Sequence, residues 1–318
     1  VQIAEVKPVA QRIRTEIAKG IVGQAASVDL MLTALFAGGH VLLEGPPGTA
    51  KTLLAQCFAR AVGMKFGRIQ FTPDLMPGDI IGANLFNFQT NAFVLTRGPI
   101  FCEVLLADEI NRAPPKTQAA LLEAMQERAV TIDGVSHGLG ARFMVTATQN
   151  PIEHQGTYPL PEAQLDRFLF KHVLDYPQRA DELAIVAGHG IAARSPHPEE
   201  MGVNVAADAN VITAAVAAVA GVRLTEEITA YIVDIVRATR ETSAFEVGAS
   251  PRSAAMLAAA VRARAALDGR DYTIPDDVKE LALPTLRHRV ILSPAADIEG
   301  RTVDQSLSAI LSQIEAPR

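Results

Sequence analysis

The chain has 318 residues, 49% of them apolar and 20% charged, with a formal net charge of −6. That length allows about two domains, and the proportions are those of a soluble globular protein. The acidic balance leaves no overall basic footprint for nucleic acid, and no window approaches the ~18 uncharged apolar residues of a membrane span.

Trp is absent and aromatics are only 5%, so the cores must be aliphatic and rich in Ala, which favours helices over an all-β sandwich. Cys57 and Cys102 form neither a metal-ligand spacing nor a disulfide framework. They are expected to be reduced core thiols, and the protein cytoplasmic. The N-terminal stretch is amphipathic and interrupted by Glu5, Lys7, Arg12, Arg14 and Glu16, unlike a signal segment.

From about residue 40 to 176, short apolar runs alternate with helical stretches. Strands are expected at His40–Glu44, Phe66–Phe71, Val104–Ala107, Arg142–Thr148 and Phe168–Leu174. Runs such as Val41-Leu42-Leu43 and Val104-Leu105-Leu106 lack polar alternation, as a parallel sheet covered on both faces requires. Helices fit between them at Lys51–Val62, Thr117–Arg128 and Glu162–Asp166. This alternation implies an α/β domain with right-handed crossovers.

The first strand runs into Gly45-Pro46-Pro47-Gly48-Thr49-Ala50-Lys51-Thr52 and then a helix, the context of a phosphate-binding loop. Backbone N–H groups from Gly48 to Thr52 can surround a β-phosphate, aided by the positive end of the helix dipole. Lys51 is placed to neutralise the β- and γ-phosphates, and the Thr52 hydroxyl to coordinate Mg²⁺. The usual pattern has Gly immediately before the Lys, where this chain has Ala50. A methyl group fits there if φ stays negative, as in the first turn of a helix.

Asn84–Pro99 reads as a β-hairpin inserted into a helix, with Phe86, Phe88, Phe93 and Val94 around the polar turn Gln89-Thr90-Asn91. Val104 to Glu109 is an apolar strand ending in two acids. A buried parallel strand exposes its carboxyl end beside the phosphate loop, so Asp108 would serve the Mg²⁺ shell and Glu109 would polarise the attacking water. Val130–Arg142 fits a second hairpin with Asp133-Gly134 as turn former. It contains Gly134-Val135-Ser136-His137-Gly138, which matches the serine-hydrolase pattern but lacks the strand-to-helix elbow that chemistry needs. The seven histidines show no zinc-protease spacing.

After Pro177 the apolar residues recur at helical spacing, as in Ile228, Ile232, Ile235 and Val236, and again in Leu257 and Val261. Pro196, Pro198 and Gly202 mark a junction loop. Residues 1–177 are therefore expected to form the nucleotide-binding α/β domain with its two hairpins, and residues 178–318 a smaller all-helical domain. Ser250 suits an N-cap and Pro251 a first helical position, so Arg252 opens a helix.

These residues resemble the AAA+ ATPases and, within them, the MoxR family. The match rests on Gly45 to Thr52, on Leu105 to Lys116, on Ala147-Thr148-Gln149-Asn150-Pro151, and on Leu160 to Phe168. Ala50 is itself usual in MoxR-like chains. The resemblance implies an AAA+ core with a parallel five-stranded sheet and a helical lid. It also implies ATP or ADP with Mg²⁺ as ligands, bound by Gly45, Pro47, Gly48, Thr49, Ala50, Lys51, Thr52 and Leu53, with Val22, Gly23 and Gln24 on the adenine side.

It further implies that Asn150 is a polar sensor orienting the lytic water, although the Asn-Pro dipeptide alone reads equally as a turn. Arg167 would be an arginine finger reaching the γ-phosphate of a neighbouring subunit; an Asp166–Arg167 ion pair is the alternative. Arg252 would be a second sensor coupling the lid to the nucleotide. The family expectation is a hexameric ring that acts as a remodelling or maturation chaperone. Its expected partners are a von Willebrand factor A-domain protein and a client. A metal-chelatase ATPase subunit and a DNA-acting motor are the competing readings.

Overall fold

The computed structural model describes residues 2–151, 156–189 and 196–317. The chain opens with helices α1 (Ile3–Ile17) and α2 (Ala25–Ala37), followed by β1 (Val41–Glu44), α3 (Lys51–Ala61) and β2 (Phe66–Gln70). Next come α4 (Pro77–Ile81), β3 (Gly82–Asn87), β4 (Ala92–Arg97), β5 (Val104–Asp108) and α5 (Pro115–Glu127). The α/β part ends with β6 (Ala129–Ile132), β7 (Val135–Gly138), β8 (Met144–Gln149), α6 (Glu162–Leu165) and β9 (Phe170–Val173).

The five-stranded sheet has the order β2-β5-β8-β1-β9, and every pairing in it is parallel. The expected five strands are all present, with ends displaced by one or two residues. Strand parity divides the core. Val41 and Leu43 belong to one apolar cluster with the helices α1, α2 and α3, whereas Leu42 belongs to a second cluster with Leu121, Leu122 and Met125 of α5. Both clusters are fully buried at these strand positions, which is why the runs carry no polar alternation. Register aligns the carboxyl ends of the strands. Glu44 lies opposite Gln149, and Gln70 opposite Asp108. Whatever follows β1, β5 and β8 therefore emerges along one edge of the sheet.

Both hairpins form. In the first, Leu85 pairs with Val94 and Phe86 with Phe93, and Phe88 at the tip is 89% exposed. The phenyl rings of Phe88 and Phe93 each meet Phe86 edge-on, at 5.2 and 5.3 Å. The short helix α4 precedes this hairpin, but no helix resumes after it; Gly98 to Cys102 form turns that lead into β5. Here the expectation of an insertion within a helix holds on one side only. The second hairpin closes through Asp133 and Gly134, with φ of 48° and 81°. Two left-handed residues make the turn whose twist matches antiparallel strands. Ser136 lies within β7, so it occupies no nucleophile elbow.

The remaining elements are α7 (Arg179–His189), α8 (Ala209–Val219), α9 (Glu226–Glu241), β10 (Phe245–Val247), α10 (Pro251–Leu267), α11 (Pro275–Leu286), β11 (Ile291–Leu292), α12 (Pro294–Ile298) and α13 (Val303–Gln313). The expected all-helical lid is not purely helical: β10 and β11 pair antiparallel. Helix α9 shows the amphipathic spacing directly, burying Ile228, Tyr231, Ile232, Ile235 and Val236 behind a Thr225 N-cap. Helix α10 buries Ala260, Ala263, Ala265 and Ala266 with no exposure, and these small side chains let it pack closely against α2, α1, α9 and α11. The apolar cluster on this side of the sheet is thus continuous from α1 to α13.

Cys57 and Cys102 are both free and buried. Burial pushes their thiols up to about 11 and about 12, so neither offers a thiolate. Among the described residues no helix is long and apolar enough to cross a membrane.

Candidate nucleotide site

The loop after β1 is shaped by close approach and by inverted backbone. A Cβ on Gly45 would lie 2.7 Å from the Leu174 carbonyl oxygen, so this position admits no side chain beside the end of β9. Gly48 has φ +82°, and space is open where its Cβ would be. Ala50 has φ +56° and ψ +25°. The condition of negative φ is not met: Ala50 is the left-handed N-cap of α3, where a methyl group strains the backbone. Positive φ on either side of Thr49 is the pattern that turns successive N–H groups toward one concavity.

Side chains satisfy the loop's carbonyls. Lys51 Nζ donates to Gly45 O at 2.6 Å and to Pro46 O at 2.9 Å. The Thr49 hydroxyl donates to Pro46 O at 3.0 Å, and Gln24 Nε2 donates to Thr49 O at 2.7 Å. Burial pushes the Lys51 ammonium down, and the nearby Asp108 and Glu109 carboxylates oppose that shift. The Oε1 atom of Gln24 is buried with no hydrogen-bond partner. Gly23 (φ +75°) lies against Asp181 of α7. Val22 does not line the cleft described next.

Pro47, Gly48, Thr49, Ala50, Lys51, Thr52 and Leu53 line a cleft of about 630 Å³ together with Asp108, Glu109 and Asn150. Residues more than 50 positions apart meet here because β1, β5 and β8 end side by side. Asp108 is 8% exposed. Its Oδ1 accepts the Thr148 hydroxyl at 2.6 Å, and its Oδ2 accepts the Thr52 hydroxyl at 3.3 Å. A hydroxyl and a carboxylate facing each other beside this loop suit a hard divalent cation, which would take its remaining oxygen ligands from phosphate and water. The described residues hold no group of three or more His, Cys, Asp or Glu able to bind a metal by themselves.

Glu109 also sits in the left-handed region, with φ +55° and ψ +50°. Its N–H donates to Thr148 Oγ1 at 2.8 Å. Its Oε2 accepts from Gln70 Nε2 at 2.9 Å and from Arg112 Nη1 at 3.2 Å. The turn thereby directs the acid out of the strand and into the cleft mouth, with its side chain 31% exposed. Two non-glycine residues in left-handed conformation, Ala50 and Glu109, thus line the same cleft.

Gly23, Gln24 and Gly45, like Val22, lie outside this lining, and so do the two expected arginines. Arg167 Nε donates to Gln126 Oε1 at 3.1 Å. Arg252, expected to reach the γ-phosphate from the lid, lies 3.6 Å from Asp166 Oδ2 instead. Asp166 also accepts from Arg289 Nε at 2.7 Å. Arg289 comes from the segment after α11 and donates further to the carbonyls of Asp166, Phe168, Leu169 and Thr285. Asp166 is accordingly the counter-ion of the C-terminal arginines, and the Asp166–Arg167 ion pair is not the arrangement observed. Arg167 and Arg252 share a neighbourhood around Asp166.

Sequence reasoning missed Arg68, Gln70, Arg112, Thr148, Pro196 and His197 as residues of the site. Arg68 and Gln70 could have been found as polar residues two apart in an otherwise apolar strand. Thr148 could have been found as the residue two before Asn150. Pro196 and His197 line the cleft from the C-terminal part, and nothing local announces that.

Residues 40–170 match the family model of ATPases associated with various cellular activities (AAA), and residues 237–310 match the AAA lid domain. The uncharacterised protein YeaC of Bacillus subtilis is 46% identical over 93% of this chain and 91% of its own length. The chaperone MoxR1 of Mycobacterium tuberculosis is 42% identical over 97% of this chain and 82% of its own. The MoxR protein of Methylorubrum extorquens is 31% identical over 97% and 95%. A crystal structure of a proposed ATPase from Cytophaga hutchinsonii superposes with a TM-score of 0.90 at 37% identity, covering 99% of this chain and 97% of that one. With its phosphate loop, paired acids and lid in that order, the chain belongs to the MoxR family of AAA+ ATPases.

Proposed function

We propose that the protein hydrolyses ATP with Mg²⁺ in a ring of identical subunits, hexameric by family expectation, and uses the cycle to remodel or mature a client protein. The observation that carries the reading is the convergence of Lys51, Thr52, Asp108 and Glu109 in one cleft behind the phosphate loop.

Each residue has a task that its position supports. Lys51 releases the loop carbonyls of Gly45 and Pro46 to neutralise phosphate oxygens. Thr52 and Asp108 hold the cation, which when bound neutralises charge on the transferring phosphoryl group. Glu109 accepts a proton from the attacking water, and Asn150 orients that water from the end of β8. Gln24, anchored on Thr49, supports the adenine side with Val22 and Gly23, and its unpaired Oε1 is available to a polar ligand. Arg167 and Arg252, lying off their own subunit's cleft, serve the nucleotide of a neighbour. The chaperone role follows the similarity to the Mycobacterium tuberculosis chaperone MoxR1. A von Willebrand factor A-domain partner, assembly or metal insertion as the task, and a cytoplasmic location follow the family expectation.

The test compares nucleotide binding with turnover. Glu109→Gln is expected to bind ATP as the wild type does and to hydrolyse it at least about 10²-fold more slowly. Equal turnover in the two proteins would remove Glu109 from its role. Arg167→Ala is expected to bind nucleotide yet lose hydrolysis, and mixing it with Lys51→Ala subunits should restore part of the activity. Absence of any restoration would place the finger within one subunit or nowhere.

A further inference from the structure

Strand β2 is the edge of the sheet, and it presents Arg68 and Gln70 on the exposed face with Ile69 buried between them. Parallel pairing with β5 sets Gln70 opposite Asp108. Arg68 Nη2 donates to Asp108 Oδ2 at 2.8 Å and to Gln70 Oε1 at 2.9 Å. Gln70 Nε2 in turn donates to Glu109 Oε2 at 2.9 Å. The guanidinium therefore binds the same carboxylate oxygen that accepts the Thr52 hydroxyl at 3.3 Å.

That oxygen is on the side of Asp108 facing Thr52, where a divalent cation would draw on it. A guanidinium and a divalent cation at one carboxylate oxygen repel each other, so occupancy by one weakens the other. The two partners of the ion pair are unequally held. Asp108 is 11% exposed as a side chain and fixed through its other oxygen by Thr148 at 2.6 Å. Arg68 is 46% exposed and has a second acceptor in Gln70. When the two separate, the arginine moves and the carboxylate stays.

We propose that Arg68 is a positioning residue of the metal subsite: it competes with the divalent cation for Asp108 and sets the cation concentration that nucleotide binding requires. The inference rests on the nucleotide reading given above. Without metal, Arg68 occupies the Asp108 oxygen that faces Thr52, and it withdraws toward Gln70 as metal and nucleotide enter together. Gln70 also touches Glu109, so the withdrawal is transmitted to the acid assigned to the attacking water.

The experiment measures Mn²⁺ binding by electron paramagnetic resonance in the presence of ADP, and ADP binding in EDTA, for the full chain. The variants are Arg68→Ala and Arg68→Lys. Arg68 is half exposed on an edge strand, so both proteins should fold, and the lysine variant keeps the charge while losing the planar fork. Removing a half-exposed ion pair changes an equilibrium by about three- to fivefold. Half-saturation by Mn²⁺ should therefore fall about three- to fivefold in Arg68→Ala and less in Arg68→Lys, with ADP affinity in EDTA within about twofold of wild type. An unchanged or higher Mn²⁺ requirement overturns the proposal. So does a large loss of ADP affinity in EDTA, which would assign Arg68 to the phosphates. A wild-type chain that binds no ADP under either condition sinks the nucleotide reading, and this proposal with it.

Discussion

Asp166 and Arg167 are adjacent in sequence, yet the structure assigns them opposite energetic roles. The Arg289 side chain is 2% exposed, and Asp166, 24% exposed, supplies its carboxylate at 2.7 Å. Burial pushes the Arg289 guanidinium down, and the Asp166 carboxylate holds it up. Replacing Asp166 by Ala leaves a buried cation without a counter-ion, a change that costs about 3–5 kcal/mol when a pair is fully buried. Four carbonyl oxygens remain around Arg289 and Asp166 is only partly enclosed, so the expected loss is about 2–3 kcal/mol. Arg167, bonded to Gln126 at an exposed site, should cost no more than about 0.5 kcal/mol when cut to Ala. Urea denaturation followed by circular dichroism measures both. Similar midpoints for Asp166→Ala and the wild type would refute the counter-ion role of Asp166. So would an Arg167→Ala protein as unstable as Asp166→Ala. If both stabilities behave as expected, lost hydrolysis in Arg167→Ala is a chemical effect and not a folding one.

Two further outcomes are expected. Ala50→Gly removes a left-handed strain of about 1–2 kcal/mol but restores about 0.4–1 kcal/mol of unfolded-chain entropy. The melting temperature should therefore be unchanged or slightly raised; a clear fall would mean that the methyl group packs favourably. His40 is buried, accepts from the Val145 N–H through Nδ1 and bonds Met125 O through Nε2, which makes it neutral. Burial lowers it from 6.5 to about 4, so the unfolded chain binds a proton in that window that the folded chain does not. Stability contributed by neutral His40 is complete above about pH 6.5 and is lost as pH falls toward 4, by up to about 3 kcal/mol. Denaturation at pH 7.5 and at pH 5 should show a smaller acid loss in His40→Gln than in wild type. An equal loss in both would assign it to other groups.

How much was legible in the sequence depended on how far apart the cooperating residues lie. The phosphate loop is contiguous, and its glycines, its lysine and the threonine after it declare themselves by order alone. The identity of β1 and β5 followed from uninterrupted apolar runs, because burial on both faces forbids polar alternation. Asp108 and Glu109 were readable because a parallel strand must end at the top of its sheet. The helices of the lid were readable from their spacing, whereas the β10–β11 pair, three and two residues long, carries too little pattern to announce itself.

Tertiary structure decided the rest. The sheet order β2-β5-β8 brings Arg68 and Thr148 to Asp108 across 40 positions in each direction, and no local pattern encodes which strand neighbours which. Docking of the C-terminal helices across 123 positions gave Asp166 to Arg289 and drew Arg252 to the same carboxylate, away from the phosphate loop. The sign of φ at Ala50 belongs to the same class. The residue type favours negative φ, but closing a short loop between β1 and α3 beside β9 required the left-handed one, since a local preference of about a kilocalorie yields to the packing of a whole sheet. Local chemistry was set by the sequence itself; the partners of each charge were set by the fold.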